Sequence, residues 1–193
     1  MAVVFDDEDA VSIRHDRSHY SLTMEPSAEF VRYFRNVRSR TDRLIPLIPP
    51  ERLEWSAGPG AFSFGDLLRH LAGTERWMWA ENVAGRPARY PGHGVELAPG
   101  YEATCLYFAD LHAEAMRIFE ALTPEQYAAP VMTPGGASLA AWKWLRAMIE
   151  HEAHHRGQLY LMLRMIGVST PPVFGLTSED VRERSQSGGA QRA

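Results

Sequence analysis

The sequence predicts an all-α protein, a four-helix bundle with one long crossover connection. Three observations lead there. Apolar residues recur at spacings of three and four in four long stretches, glycine or proline closes each stretch, and no alternating run is long enough for a sheet. The chain has 193 residues, 45% of them hydrophobic and 23% charged. Those values suit one globular domain with short tails.

The first helix starts near Pro26, and its stripe runs through Phe30, Phe34, Val37, Thr41, Leu44 and Ile48 until Pro46, Pro49 and Pro50 stop it. Ser63, with Asp66 three residues on, caps a second helix that continues to about Val83 before Gly85 and Pro87. Residues 86–100 hold Pro87, Pro91, Gly92, Gly94, Pro99 and Gly100, the composition of a long loop. A third helix covers about Glu102 to Leu122, with Cys105, Phe108, His112, Ala115 and Phe119 on one face. Thr123-Pro124 opens a short helix that ends before Pro130. Ser138 caps the fourth long helix, which runs to about Ile166 and is closed by Gly167 and Pro171-Pro172. The bundle is therefore residues 25–184. An arm of no clear period precedes it at 1–24, and a Ser/Gly/Gln-rich tail at 185–193 is expected to be flexible.

Charge and cysteine content narrow the function. A net charge of −4 with scattered arginines and a single lysine, Lys143, lacks the basic stripe of a nucleic-acid-binding domain. Cys105 stands alone, so no intramolecular disulfide can form. Asp6, Asp7, Glu8 and Asp9 stand where a secretory signal would carry basic residues, and no apolar run approaches the length of a membrane span. The expectation is a cytoplasmic protein with no nucleic-acid or membrane partner.

The chemistry concentrates at His151-Glu152-Ala153-His154-His155-Arg156-Gly157-Gln158. Residues four apart on a helix differ by about 40° and rise about 6 Å, so His151 and His155 leave one face a turn apart. Both fall on the apolar stripe of Trp144, Met148, Leu159, Met162 and Ile166. Buried polar rings need partners, and one ion would satisfy both. In the second helix, Leu67, His70, Thr74 and Trp77 form an inward set that brings His70 toward the fourth helix. Three neutral imidazoles leave coordination room for water or substrate, as catalytic sites do. His112 is a candidate fourth ligand, although a core position is the simpler reading. His154 belongs to a more polar row at the rim, and His15, His19 and His93 lie in irregular segments. No catalytic side chain is assigned. The zinc or nickel ion expected here is one of several that imidazole suits.

His151-Glu152-x-x-His155 also reads literally as H-E-x-x-H, with Glu152 as general base. Gln158 and Leu161 stand where the longer protease signature needs glycine and histidine. A downstream glutamate ligand would have to be Glu179 or Glu183. Glu152 also sits about 100° around the helix from His151. For the residues after the pair, the simplest reading has Arg156 pairing with Glu152 and Gly157 admitting a neighbouring helix. In a competing reading, Gln158 or Arg156 orients a ligand or a substrate anion. The tryptophans Trp77, Trp79, Trp142 and Trp144 are read as core and rim packing.

Phe64-Gly65-Asp66-Leu67-Leu68-Arg69-His70-Leu71, together with His151-x-x-x-His155-Arg156-Gly157-Gln158-Leu159, resembles the DinB/YfiT-like superfamily. Arg164-Met165-Ile166-Gly167-Val168 and Phe174-Gly175-Leu176-Thr177 are similar to that family's closing segment, and the likeness spans roughly residues 26–184. The resemblance implies an up-down-down-up bundle, a divalent ion on His70, His151 and His155, and a homodimer. It further implies transfer or isomerisation of a small electrophile by an activated low-molecular-weight thiol such as mycothiol, bacillithiol or glutathione, or hydrolysis by activated water. The alternative is a non-catalytic helical protein that acts through dimer or partner contacts.

Overall fold

The computed structural model describes residues 26–189, and the arm read at 1–24 lies outside them. Helix α1 (Pro26–Asp42) is followed by α2 (Phe64–Thr74), a π-helical segment (Glu75–Ala80) and the single turn α3 (Glu81–Val83), which together form one rod. Then come α4 (Tyr101–Glu120), α5 (Pro124–Ala128), a hairpin of β1 (Pro130–Met132) and β2 (Ser138–Ala140), α6 (Ala141–Met165) and α7 (Ser178–Gly189).

Two apolar layers give the direction of each rod. Phe30 and Phe34, Trp79 and Val83, Ala115 and Phe119, and Leu145 and Met148 fill one layer. Leu44 and Ile48, Phe64 and Leu68, Phe108 and Leu111, and Leu159 and Leu163 fill the other. Thus α1 and α6 point one way and the α2 rod and α4 point the other, up-down-down-up. Helices α1 and α2 each pack against both α4 and α6. Because α2 and α4 are parallel neighbours, their connection must return along the whole rod. Twenty helical residues span about 30 Å, or about nine extended residues. The chain between Val83 and Tyr101 exceeds that, and its surplus folds over one side of the bundle.

The capping residues behave as their chemistry dictates. Ser63 and Asp66 exchange backbone and side-chain hydrogen bonds of 3.0 Å each, and Thr123 and Gln126 form the same box ahead of α5.

Four expectations need correction. The first helix ends at Asp42 because Pro46 cannot continue it, and a 3-10 turn (Ile45–Leu47) carries Leu44 and Ile48 into the core. Ser138 lies in β2, pairing with Met132, so α6 begins at Ala141 and a short hairpin stands where none was read. Ser178–Gly189 form helix α7 where the sequence reading placed no helix, and the last four residues of the tail read at 185–193 lie outside the described ones. Trp77, read as inward, packs against the core only partly buried, and Trp79 is the buried tryptophan of the rod. The wider π turn advances the buried face, so that Trp79, Ala80 and Val83 enter the core. Trp77 instead takes the Arg76 and Arg89 guanidinium groups at 4.1 and 3.9 Å from its ring centre.

Candidate metal centre

His70 on α2 meets His151 and His155 on α6, as antiparallel neighbours one turn apart permit. His70 Nε2 lies 2.9 Å from His151 Nε2, and His155 Nε2 lies 3.1 Å from the same atom. One ligand atom from each ring lies within 4.8 Å of the others. Two bonds of about 2.0 Å at a tetrahedral angle would set such atoms about 3.3 Å apart. His155 is buried, and His70 and His151 are partly so. Burial first, then the neighbouring imidazoles, lowers the pKa of His70 to about 4 and that of His151 to about 3. His155 shifts down for the same leading reason. All three rings are therefore neutral at neutral pH, the form that binds metal.

The outer ring nitrogens are also held. His155 Nδ1 donates to Gln158 Oε1 at 2.7 Å, which leaves its Nε2 bare toward the cluster. The Gln158 amide also reaches His154 Nε2 at 3.2 Å, so exposed His154 stays at the rim. Of the two roles considered for Gln158 and Arg156, only Gln158 touches a histidine of the cluster. His70 Nδ1 lies 2.7 Å from Tyr90 Oη, which in turn lies 2.8 Å from His93 Nδ1. Phe62 packs on His93, His70 and His155 with ring centres 4.6, 5.2 and 6.0 Å away, and Trp79 lies 4.9 Å from His151. Tyr90, His93 and Phe62 sit in irregular segments. For Tyr90 and His93 the only sequence signal is that a crossover loop this long has chain to spare, and Phe62, in the connection before Ser63, has none.

His112 does not join the cluster. Its Nδ1 lies 2.7 Å from Glu75 Oε1, and its ring packs on Phe34. It belongs to a buried polar layer between the two apolar ones, in which Arg38 pairs with Glu75 and with Glu152, and Thr41 donates to Glu152. Glu152 is therefore committed to α1, away from His70, and is not placed as the base of an H-E-x-x-H site. Glu179 and Glu183 lie on α7 and are not members of the cluster. Two further readings are overturned. Arg156 donates to the Val37 carbonyl at 3.2 Å and meets the Glu152 charge only through space, with no direct ion pair. Exposed Gly157 admits no neighbouring helix, since a Cβ there would meet nothing within 4 Å.

A cavity of about 340 Å³ is lined by Phe62 and Gln158, both of which contact His155, and by Ala57, Gly60, Ala61, Leu67, Leu161, Met162 and Met165; none of the three histidines and no charged side chain lines it. No helix of the described residues is long and apolar enough to cross a membrane.

Comparison with known proteins agrees with this architecture. A DinB-like protein from Bacillus subtilis is 19% identical, with a TM-score of 0.59 over 75% of this chain and 95% of its own. YfiT from Bacillus subtilis, described as a probable metal-dependent hydrolase with an unusual four-helix bundle topology, is 14% identical. Its TM-score is 0.61 over 81% of this chain and 97% of its own. A mutant of the mycothiol-dependent maleylpyruvate isomerase is 12% identical, with a TM-score of 0.53 over 76% of this chain and 62% of its own. No curated protein matches the sequence. The model of the DinB superfamily matches residues 33–159, two thirds of the chain, and this protein belongs to that superfamily.

Proposed function

We propose that His70, His151 and His155 hold one divalent ion, zinc or nickel first among the candidates, and that the centre serves an enzyme acting on a small electrophilic substrate. One observation carries this reading: three neutral imidazoles direct Nε2 atoms at one point, 2.9 and 3.1 Å apart along the series. Bound there, the ion would supply Lewis acidity and make a thiol or water nucleophilic near neutral pH. The protein's own residues do the rest. Gln158 fixes the His155 ring, Phe62 and Trp79 wall the flanks against water, and the uncharged cavity takes the less polar part of a substrate.

Transfer or isomerisation with a low-molecular-weight thiol, and hydrolysis, are the reactions such a centre supports. The mycothiol-dependent isomerase and YfiT each supply one precedent in the same fold. We further read the protein as a cytoplasmic homodimer whose partner is a small molecule, with no nucleic acid and no membrane. Exposed Phe174 supplies apolar surface for a second copy. Light scattering in solution tests that assignment.

Elemental analysis of the purified chain should find about one divalent ion, with the ion lost when any of the three histidines becomes alanine. Turnover is then sought with a panel of thiols, each paired with electrophiles, and with hydrolysable esters and amides. An ion bound without turnover on any pairing would favour the non-catalytic alternative. Full metal content in His70→Ala would overturn the three-histidine site.

A further inference from the structure

Tyr90 and His93 come from the crossover connection, yet they complete the surroundings of His70. We propose that Tyr90, backed by His93, is a positioning residue that fixes the ring of His70 for ligation. The proposal rests on the metal reading above.

The argument is one of hydrogen-bond direction. A tyrosine hydroxyl has one proton to donate and lone pairs to accept. In one arrangement Tyr90 donates to His70 Nδ1, at 2.7 Å, and accepts from His93 Nδ1, at 2.8 Å. The His70 proton then sits on Nε2, aimed at His151 Nε2 2.9 Å away, and that nitrogen cannot ligate. In the other, His70 Nδ1–H donates to Tyr90 Oη and Tyr90 donates to His93 Nδ1. His70 Nε2 is bare only when His70 Nδ1–H donates to Tyr90, and the hydroxyl is then free either to donate to His93 Nδ1 or to accept from it as well. Tyr90 thus does for His70 what Gln158 does for His155.

The loop is anchored on both sides of Tyr90, which is what a positioning role demands. The Arg89 backbone N–H donates to the Trp77 carbonyl at 2.9 Å, and its guanidinium covers the Trp77 ring. Pro91 lies so close to Gly73 that a Cβ there would stand 3.2 Å from Pro91 Cγ. Arg69 Nη1 donates to the His93 carbonyl at 3.3 Å. The π-helical segment contributes through Trp77, whose carbonyl and ring hold the loop.

The test is zinc titration of the metal-stripped, full-length protein in competition with a chromophoric chelator. Wild type is measured first. Failure of wild type to take up either zinc or nickel would overturn the metal reading and this proposal with it. Given uptake, Tyr90→Phe is expected to bind zinc about tenfold more weakly. That is the low end for the loss of a partner to a ligating histidine, because Tyr90 is 45% exposed and water can partly replace its hydroxyl. His93→Ala should weaken zinc less, and the double variant should bind about as Tyr90→Phe alone, since the hydrogen bond of His93 reaches His70 through Tyr90. Nitrogen NMR of metal-free wild type should show the His70 proton on Nδ1, a preference weakened in Tyr90→Phe. Tyr160→Phe removes a 2.8 Å hydrogen bond to the Pro171 carbonyl away from the cluster and should leave zinc affinity unchanged. Zinc affinity of Tyr90→Phe within about twofold of wild type, independent multiplying losses in the double variant, or an equal loss in Tyr160→Phe would each overturn the proposal while leaving the metal reading intact.

Discussion

Arg38 on α1 meets Glu152 on α6 at 3.3 Å in a buried layer, and Glu152 directly follows His151. The same guanidinium pairs with Glu75, five residues after His70 in its rod. One cation therefore ties together the two elements that carry the histidine cluster. Arg38→Met strands two buried carboxylates and is expected to cost about 3–5 kcal/mol in urea unfolding. Arg38→Met combined with Glu75→Gln and Glu152→Gln should cost less than Arg38→Met alone, because the uncompensated charge is gone. A larger loss in the triple variant would show that the hydrogen bonds of this layer, more than its charges, hold the bundle.

Gln158 offers a test of ligand orientation on the other helix. Gln158→Leu removes the acceptor for His155 Nδ1 and should weaken zinc binding about tenfold. Gln158→Glu keeps an acceptor and should retain or raise the affinity. Equal losses in both variants would mean that the amide serves His154 instead.

Gly157 stands mid-helix on an exposed face. Gly157→Ala is expected to stabilise by about 0.5–1 kcal/mol through helix propensity and reduced unfolded-state entropy, raising the melting temperature by about 1–4 °C. A fall in melting temperature would show that this face is covered by a second copy in solution.

The lowered histidine pKa values set the acid behaviour of the metal-stripped protein. Unfolded histidine binds protons below about pH 6.5. In the folded protein His70 and His151 hold them off until about 4 and about 3. The unfolded chain therefore binds more protons between those limits, so stability falls as pH drops from about 6.5 toward 3. Thermal melts of metal-free wild type from pH 7 to 5 should decline more steeply than those of His151→Phe. Parallel slopes would count against burial as the cause.

The apolar stripes, the Ser63/Asp66 and Thr123/Gln126 caps and the face shared by His151 and His155 are properties of single segments, and the sequence by itself determined them. So were the inward position of His70 and the motifs shared with the superfamily. Periodicity gives the angle of a side chain around its own helix, and that suffices where a straight helix buries one face. It fails at Trp77, where the π turn rotates the face by tertiary demand. It is also silent about which charge on another rod answers a buried one, so Glu152 looked available to Arg156, four residues on, when Arg38 and Thr41 on α1 hold it. Only the tertiary structure decided that Tyr90 and His93 close over His70. A loop has no period, and its side chains acquire neighbours only once the rods it joins are packed.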